Sequence, residues 1–299
     1  MTGLFALIKR NTKLFFKDKG MFFTALITPM ILLVLYMTFL GNVYRNSFTS
    51  VIPPMVPIDD DLINAMVGGQ LVSSLLAVCC VTVAFCSNFL MVQDKVTGAH
   101  RDLTITPVRP STMALGYYAS TTFSTLIISL TALGAGFIYI ASIKWYLSTA
   151  DVLMTLLDVF LLVMFGTALS SVINFFLSSQ GQISAVGTIV SAGYGFICGA
   201  YMPISQFSEG LQRVLMFLPG TYATGLLRNH VMRGTFDAMR DSGIPDEVVD
   251  MMMSTVDCNL TFFDTPVSEG AMLAVLGGSV ILLIAVYVLL NVFAKRKKA

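Results

Sequence analysis

The sequence predicts an all-α integral membrane protein with six transmembrane helices, and three observations carry that prediction. Of its 299 residues, 56% are hydrophobic and only 12% are charged, too little charge to cover a soluble domain of this length. Six stretches offer the roughly 20 apolar residues that cross about 30 Å of hydrocarbon. They lie at about 22–40, 65–92, 114–141, 152–177, 183–201 and 271–293, and none contains Lys or Arg. The connecting segments, finally, divide their charge unevenly. With the N-terminus inside, the N-terminal segment, the loop after span two, the turn at residues 178–182 and the C-terminal tail hold twelve bases (Lys9, Arg10, Lys13, Lys17, Lys19, Lys95, Arg101, Arg109, Lys295, Arg296, Lys297, Lys298) and three acids (Asp18, Asp94, Asp102). The opposite side holds six bases and thirteen acids. An excess of Lys and Arg marks the cytoplasmic face, so both termini are expected there, in a plasma (inner) membrane.

Residues 1–20 form the first element. Lys9, Lys13 and Lys17 recur every four residues, while Leu4, Leu7, Ile8, Leu14 and Phe15 gather mostly on the other side. That is a basic amphipathic helix suited to the headgroup layer. Residues 21–299 then form the six-span domain. Span one is too long for a signal-peptide core, and Gly41-Asn42-Val43-Tyr44 offers no cleavage pattern. Between spans two and three, Gly98 ends one helix and Pro107 with Pro110 stops the next, leaving a compact cytoplasmic helix.

Span four carries Asp158, the only acid well inside a span. It is either a structural acid bonded to Thr155 or another Ser or Thr, or an ion-handling group. Span two carries Gln70, Ser73, Ser74, Thr82, Ser87 and Asn88, and span five Ser184, Gly187, Thr188, Ser191, Gly193 and Tyr194. Small, mildly polar residues let helices approach closely, and Gly195 with Gly199 has the spacing of a packing face. The extracellular insert, 202–270, opens apolar but interrupted by Pro203, Gly210, Pro219 and Gly220, the pattern of short, partly re-entrant helices. Its acidic second half, Phe236 to Glu269, reads as a solvated helix and loop. Asn259-Leu260-Thr261 matches a glycosylation acceptor.

Several chemistries find no footing. No Gly is followed directly by Lys, so no phosphate-cradling loop occurs and ATP hydrolysis by that route is excluded. His100 and His230 are far apart, no catalytic elbow or zinc-binding helix motif is present, and the scattered acids of the insert lack a calcium-loop spacing. Cys79, Cys80, Cys86, Cys198 and Cys258 form no CxxC pair and read as small apolar packing residues. No catalytic residue, cofactor, metal site or nucleic-acid partner is predicted in this chain.

Two segments resemble the permeases of type-two ATP-binding-cassette exporters. In the loop after span two, Asp94-Lys95-Val96-Thr97-Gly98-Ala99-His100-Arg101-Asp102-Leu103-Thr104-Ile105-Thr106-Pro107-Val108 places Gly98, Leu103, Thr106 and Pro107 in the family's register. Ala99 stands where the family has Thr, and Val96-Thr97 where it has acids. Farther on, Cys198-Gly199-Ala200-Tyr201-Met202-Pro203, then Phe217-Leu218-Pro219, Tyr222 and Leu227-Arg228 follow the family's order. The resemblance implies a small permease without a fused ATPase. It would pair with a second permease, a copy of itself or a paralogue, and with two copies of a soluble ATPase that bind ATP and magnesium. Gly98, Arg101, Asp102, Leu103, Thr106 and Pro107 would then couple the chain to the ATPase. Spans two and five would line the path, with Gln70, Ser74, Asn88, Thr188, Ser191 and Tyr194 as candidates.

The expected function is export of an amphipathic, lipid-like, drug or lipid-linked molecule, since uncharged spans suit small hydrophilic ions poorly. An ion-coupled carrier using Asp158 is the alternative, and a membrane enzyme or assembly factor binding through the acidic insert is a third.

Overall fold

The computed structural model describes residues 2–52, 58–106, 108–263 and 265–296; Pro107, Asp264, Lys297 and Lys298 lie outside them. The described chain is helical apart from one short antiparallel ladder, β1 (Thr261–Phe262) with β2 (Thr265–Pro266).

Helix α1 (Thr2–Lys17) precedes Asp18, whose carboxylate accepts the Met21 backbone N–H and caps α2 (Lys19–Leu35). Helix α2 continues through a π turn at Tyr36–Leu40 into α3 (Gly41–Val51), making one 33-residue rod. Helix α4 (Asp60–Thr97), capped by Asp59, is the axis of the bundle and is buried almost throughout from Leu62 to Val92. Around it pack α2, α6 (Pro110–Ile143), α7 (Thr149–Phe175), α8 (Gln180–Ile197) and α10 (Pro219–Asp241). A helix enclosed on every side is apolar all round, which is why this stretch shows no amphipathic face. Helix α12 (Glu269–Arg296) packs on α6, α7 and α10. The short helices are α5 (Ala99–Ile105), α9 (Glu209–Leu215) and α11 (Asp246–Thr255).

Among the described residues, five helices are long and apolar enough to cross a membrane: residues 19–51, 60–97, 110–143, 149–175 and 269–293. Most outrun the apolar stretch they contain, because polar caps such as Asp18, Asp59 and the Ser148–Asp151 capping box sit beyond the apolar run. The stretch expected as span five is α8, which has 18 residues and is not among the five. Gln180, Gln182, Ser184, Thr188 and Ser191 dilute its apolar content, and it stops where Gly199 turns to φ 76°.

That turn overturns one expectation. Gly199 ends the helix, so it cannot share a helix-packing face with Gly195, where a Cβ would meet the Tyr201 ring. The acidic insert is also less solvated than its composition suggests. Phe236, Met239, Val249, Met252 and Val256 recur at helical spacing and are buried, while Arg240 meets Asp237, Asp246 and Asp250 on the exposed side.

Candidate functional site

A groove of about 1310 Å³ runs along the bundle between the α2–α3 rod and α8, floored by α4. Asp18, Gln93 and Gln180 mark the end nearest α5; Tyr201, Met202, Gln206 and Thr255 mark the end nearest α11. Ile27, Ile31, Leu35, Phe39, Phe89 and Phe196 make its middle apolar, and Asp18 is the sole charged residue among those lining it. Of the six path candidates, Thr188 and Ser191 line this groove. Gln70, Ser74 and Asn88 do not. They are wholly buried within α4, where Asn88 Nδ2 donates to Ser170 Oγ (3.0 Å) and Ser171 Oγ (2.9 Å) of α7. Tyr194 is buried under the α8 terminus, its hydroxyl towards Gly220.

At the α5 end, two adjacent residues of α4 tie it in opposite directions. Asp94 accepts two bonds from Arg10 of α1 (2.7 and 2.9 Å) and one from the Tyr117 hydroxyl of α6 (2.6 Å). The carboxylate holds the Arg10 guanidinium above its already high ordinary value, so the pair keeps its cation throughout the neutral range. Lys95 Nζ donates to the carbonyls of Asn174, Phe175 and Leu177, the last turn of α7 and its exit. Gly98 follows at φ 86°, a left-handed cap that only glycine adopts at little cost, and α5 projects from it. No residue of α5 is buried. Arg101 and Asp102 are exposed, Leu103 packs back against the cluster around Met91 and Met113, and Ile105 is 77% exposed. Thr106 Oγ1 donates to the Leu103 carbonyl at 2.6 Å, closing the helix.

At the α11 end, Arg228 of α10 is 1% exposed. It donates to the Gly199 carbonyl at 2.5 Å and pairs with Asp257 at 3.3 Å. Asp257 also accepts the backbone N–H groups of Ile204 (2.5 Å) and Ser205 (3.2 Å). One buried ion pair therefore anchors the groove's rim, residues 199–206, at Gly199, Ile204 and Ser205.

Residues 2–232 match the family model of the ABC-2 type transporter. The chain belongs to the ABC-2 type transporter family. A comparison with curated proteins found no match. As a member, this protein is the permease subunit of an ABC transporter, a multi-pass membrane protein of a family whose permease domains work with ATPase partners. The family match ends within α10, so α11, the hairpin and α12 extend beyond it.

Sequence reasoning missed two features of the permease. The groove takes one wall from the α2–α3 rod, whose exposed Ile27, Ile31 and Phe39 look the same in sequence whether they face lipid or a cavity. Asp158, moreover, meets His230 and not Thr155, whose hydroxyl is spent on the Asp151 carbonyl.

Proposed function

We propose that this permease belongs to an ATP-driven exporter that carries an amphipathic, lipid-like, drug or lipid-linked molecule out of the cell along the groove. The observation that supports it best is the groove itself. Among the described residues its wall is mostly apolar and carries no Lys or Arg, which suits a cargo that partitions into the bilayer and is hostile to hydrophilic ions. Crossing the plasma membrane six times, the chain would have its termini and α5 in the cytoplasm. Support comes from α8, which starts three residues past Leu177, bound by Lys95 at the α5 end, and closes beside Gly199, bound by Arg228 at the other. At 1.5 Å per residue, 18 residues rise about 27 Å, near the hydrocarbon thickness. A second permease copy and two ATPase subunits, holding ATP and magnesium, complete the machine.

The test is ATP-dependent movement of a fluorescent phospholipid or amphipathic dye in vesicles containing the permease–ATPase complex. Gly187→Trp puts an indole into the groove at the level of Phe89 and should abolish movement while the complex still assembles. Unimpaired movement with that variant would show that cargo takes another route.

A further inference from the structure

ATP-driven export gives no role to a buried cluster of ionisable groups, yet this permease has one. Asp158 of α7 and His230 of α10 are 1% and 0% exposed, with Asp158 Oδ2 2.5 Å from His230 Nδ1. The other ring nitrogen, Nε2, faces Glu269 Oε2 of α12 at 3.6 Å. Arg233, one turn along α10, donates to both Glu269 oxygens (2.7 and 2.8 Å) and lies 3.6 Å from Asp151 of α7. One imidazole thus stands between carboxylates from two different helices. Asp158 Oδ1 and His230 Nε2 have no hydrogen-bond partner among the described residues.

Among the described residues, the other elements packed on α10 add no ion pair to this cluster. Helix α4 presents Gly69 against Met232. Of the acids of α11, Asp246 and Asp250 are engaged by Arg240, two turns beyond Arg233, and Glu247 is exposed. The Cys258 thiol near Glu269 is pushed up to about 12 by burial and stays neutral. The balance is therefore three acids (Asp151, Asp158, Glu269) against Arg233 and the imidazole. With an imidazolium, each carboxylate faces a cation. With a neutral ring, an ionised Asp158 would have no ion-pair partner among the described residues.

The same helix holds the groove's rim. Arg228, two residues before His230, fixes Gly199 and Asp257, and through Asp257 the backbone at Ile204 and Ser205. Whatever loosens α10 from α7 and α12 loosens that rim with it. We propose that His230, set between Asp158 and Glu269, is a proton-operated latch. Protonated, it clamps α10 to α7 and α12 and fixes the rim of the groove; deprotonated, it releases them. Because the clamp is made by a protonated ring facing two carboxylates, it is present at low pH and is lost as pH rises. The inference rests on the reading of the groove as the transport path and of the α11 end as its outer mouth.

The experiment uses the full-length chain in lipid nanodiscs, without ATPase or cargo. Spin labels are placed through Gln206→Cys on the rim and Ser142→Cys near the C-terminal end of α6, both exposed positions; all five native cysteines are buried. Distance distributions are recorded across about pH 5 to 8, the range in which histidine ordinarily titrates. The latch requires a narrow distribution at the acid end and a broad or shifted one at the alkaline end, with His230→Gln giving the alkaline pattern at every pH. One unchanging distribution in the otherwise native chain overturns the latch without any variant. A pH response that persists in His230→Gln overturns the assignment to His230. Should that variant not fold, Glu269→Gln, whose side chain is 42% exposed at a helix start, must weaken the pH response, and an undiminished response counts against the latch. Failure of the exporter reading would leave all these outcomes untouched, since neither ATP nor cargo takes part.

Discussion

Arg228 shows how one side chain can organise a region whose sequence looks irregular. A guanidinium at 1% exposure costs far more to desolvate than it repays unless its partners are in place. Here the partners are Gly199, whose left-handed turn aims a carbonyl inward, and Asp257, itself at φ 54°. Arg228→Met keeps much of the volume but strands the Asp257 carboxylate, with only two backbone N–H groups for company. We expect a loss of about 3 to 5 kcal/mol, read as a fall in the midpoint of thermal unfolding in detergent. A change within error would mean that the pair is not buried as described. The Leu227-Arg228 pair was visible in the sequence, but Asp257 as its partner was not. Nothing local links residues 29 positions apart, and an acid among the many of residues 236–269 gives no sign of which one turns inward.

At the scale of elements, termini and breaks were the legible part. Asp18, Gly98, Pro110 and Pro219 each close or open a helix for local reasons that a sequence displays. Side-chain direction within a short helix was less legible. On α5, Leu103 and Ile105 are equally apolar, yet only Ile105 points away from the bundle. If α5 seats in the ATPase, Ile105 is the residue that fills an apolar pocket there, with Arg101 and Asp102 beside it. Arg101→Glu with Ile105→Asp should then cut ATPase recovered in a detergent pull-down at least about tenfold, since burying a new charge costs more than about 1.4 kcal/mol. The permease should still fold, because neither side chain is part of its core. Undiminished recovery would leave α5 a solvated connection between two spans.

For the whole molecule, the central question is what faces α8. Sequence hydropathy marked it as a span like the others, because apolar runs do not reveal what lies alongside them. The fold sets it apart. Among the described residues, only Ile183, Tyr194 and Gly195 of α8 are buried, and its main packing partner is α4. Ile189, Phe196 and Ile197 stand exposed next to Ser184, Thr188 and the groove. A helix this thinly attached, with hydroxyls on its open side, is better served by another protein surface than by lipid, because small and polar residues favour close helix contact in membranes. A second copy of the permease would supply that surface and close the groove between the two chains. Ile189→Cys should therefore give a covalent dimer with a short bis-maleimide in native membranes. Phe123→Cys, equally apolar and 53% exposed on α6, should remain monomeric. The buried native cysteines keep the background low. Cross-linking at Phe123 but not at Ile189 would move the interface to α6 and leave the groove open to lipid on both sides. Cross-linking at neither position in the presence of the ATPase would point to a paralogous permease as the partner.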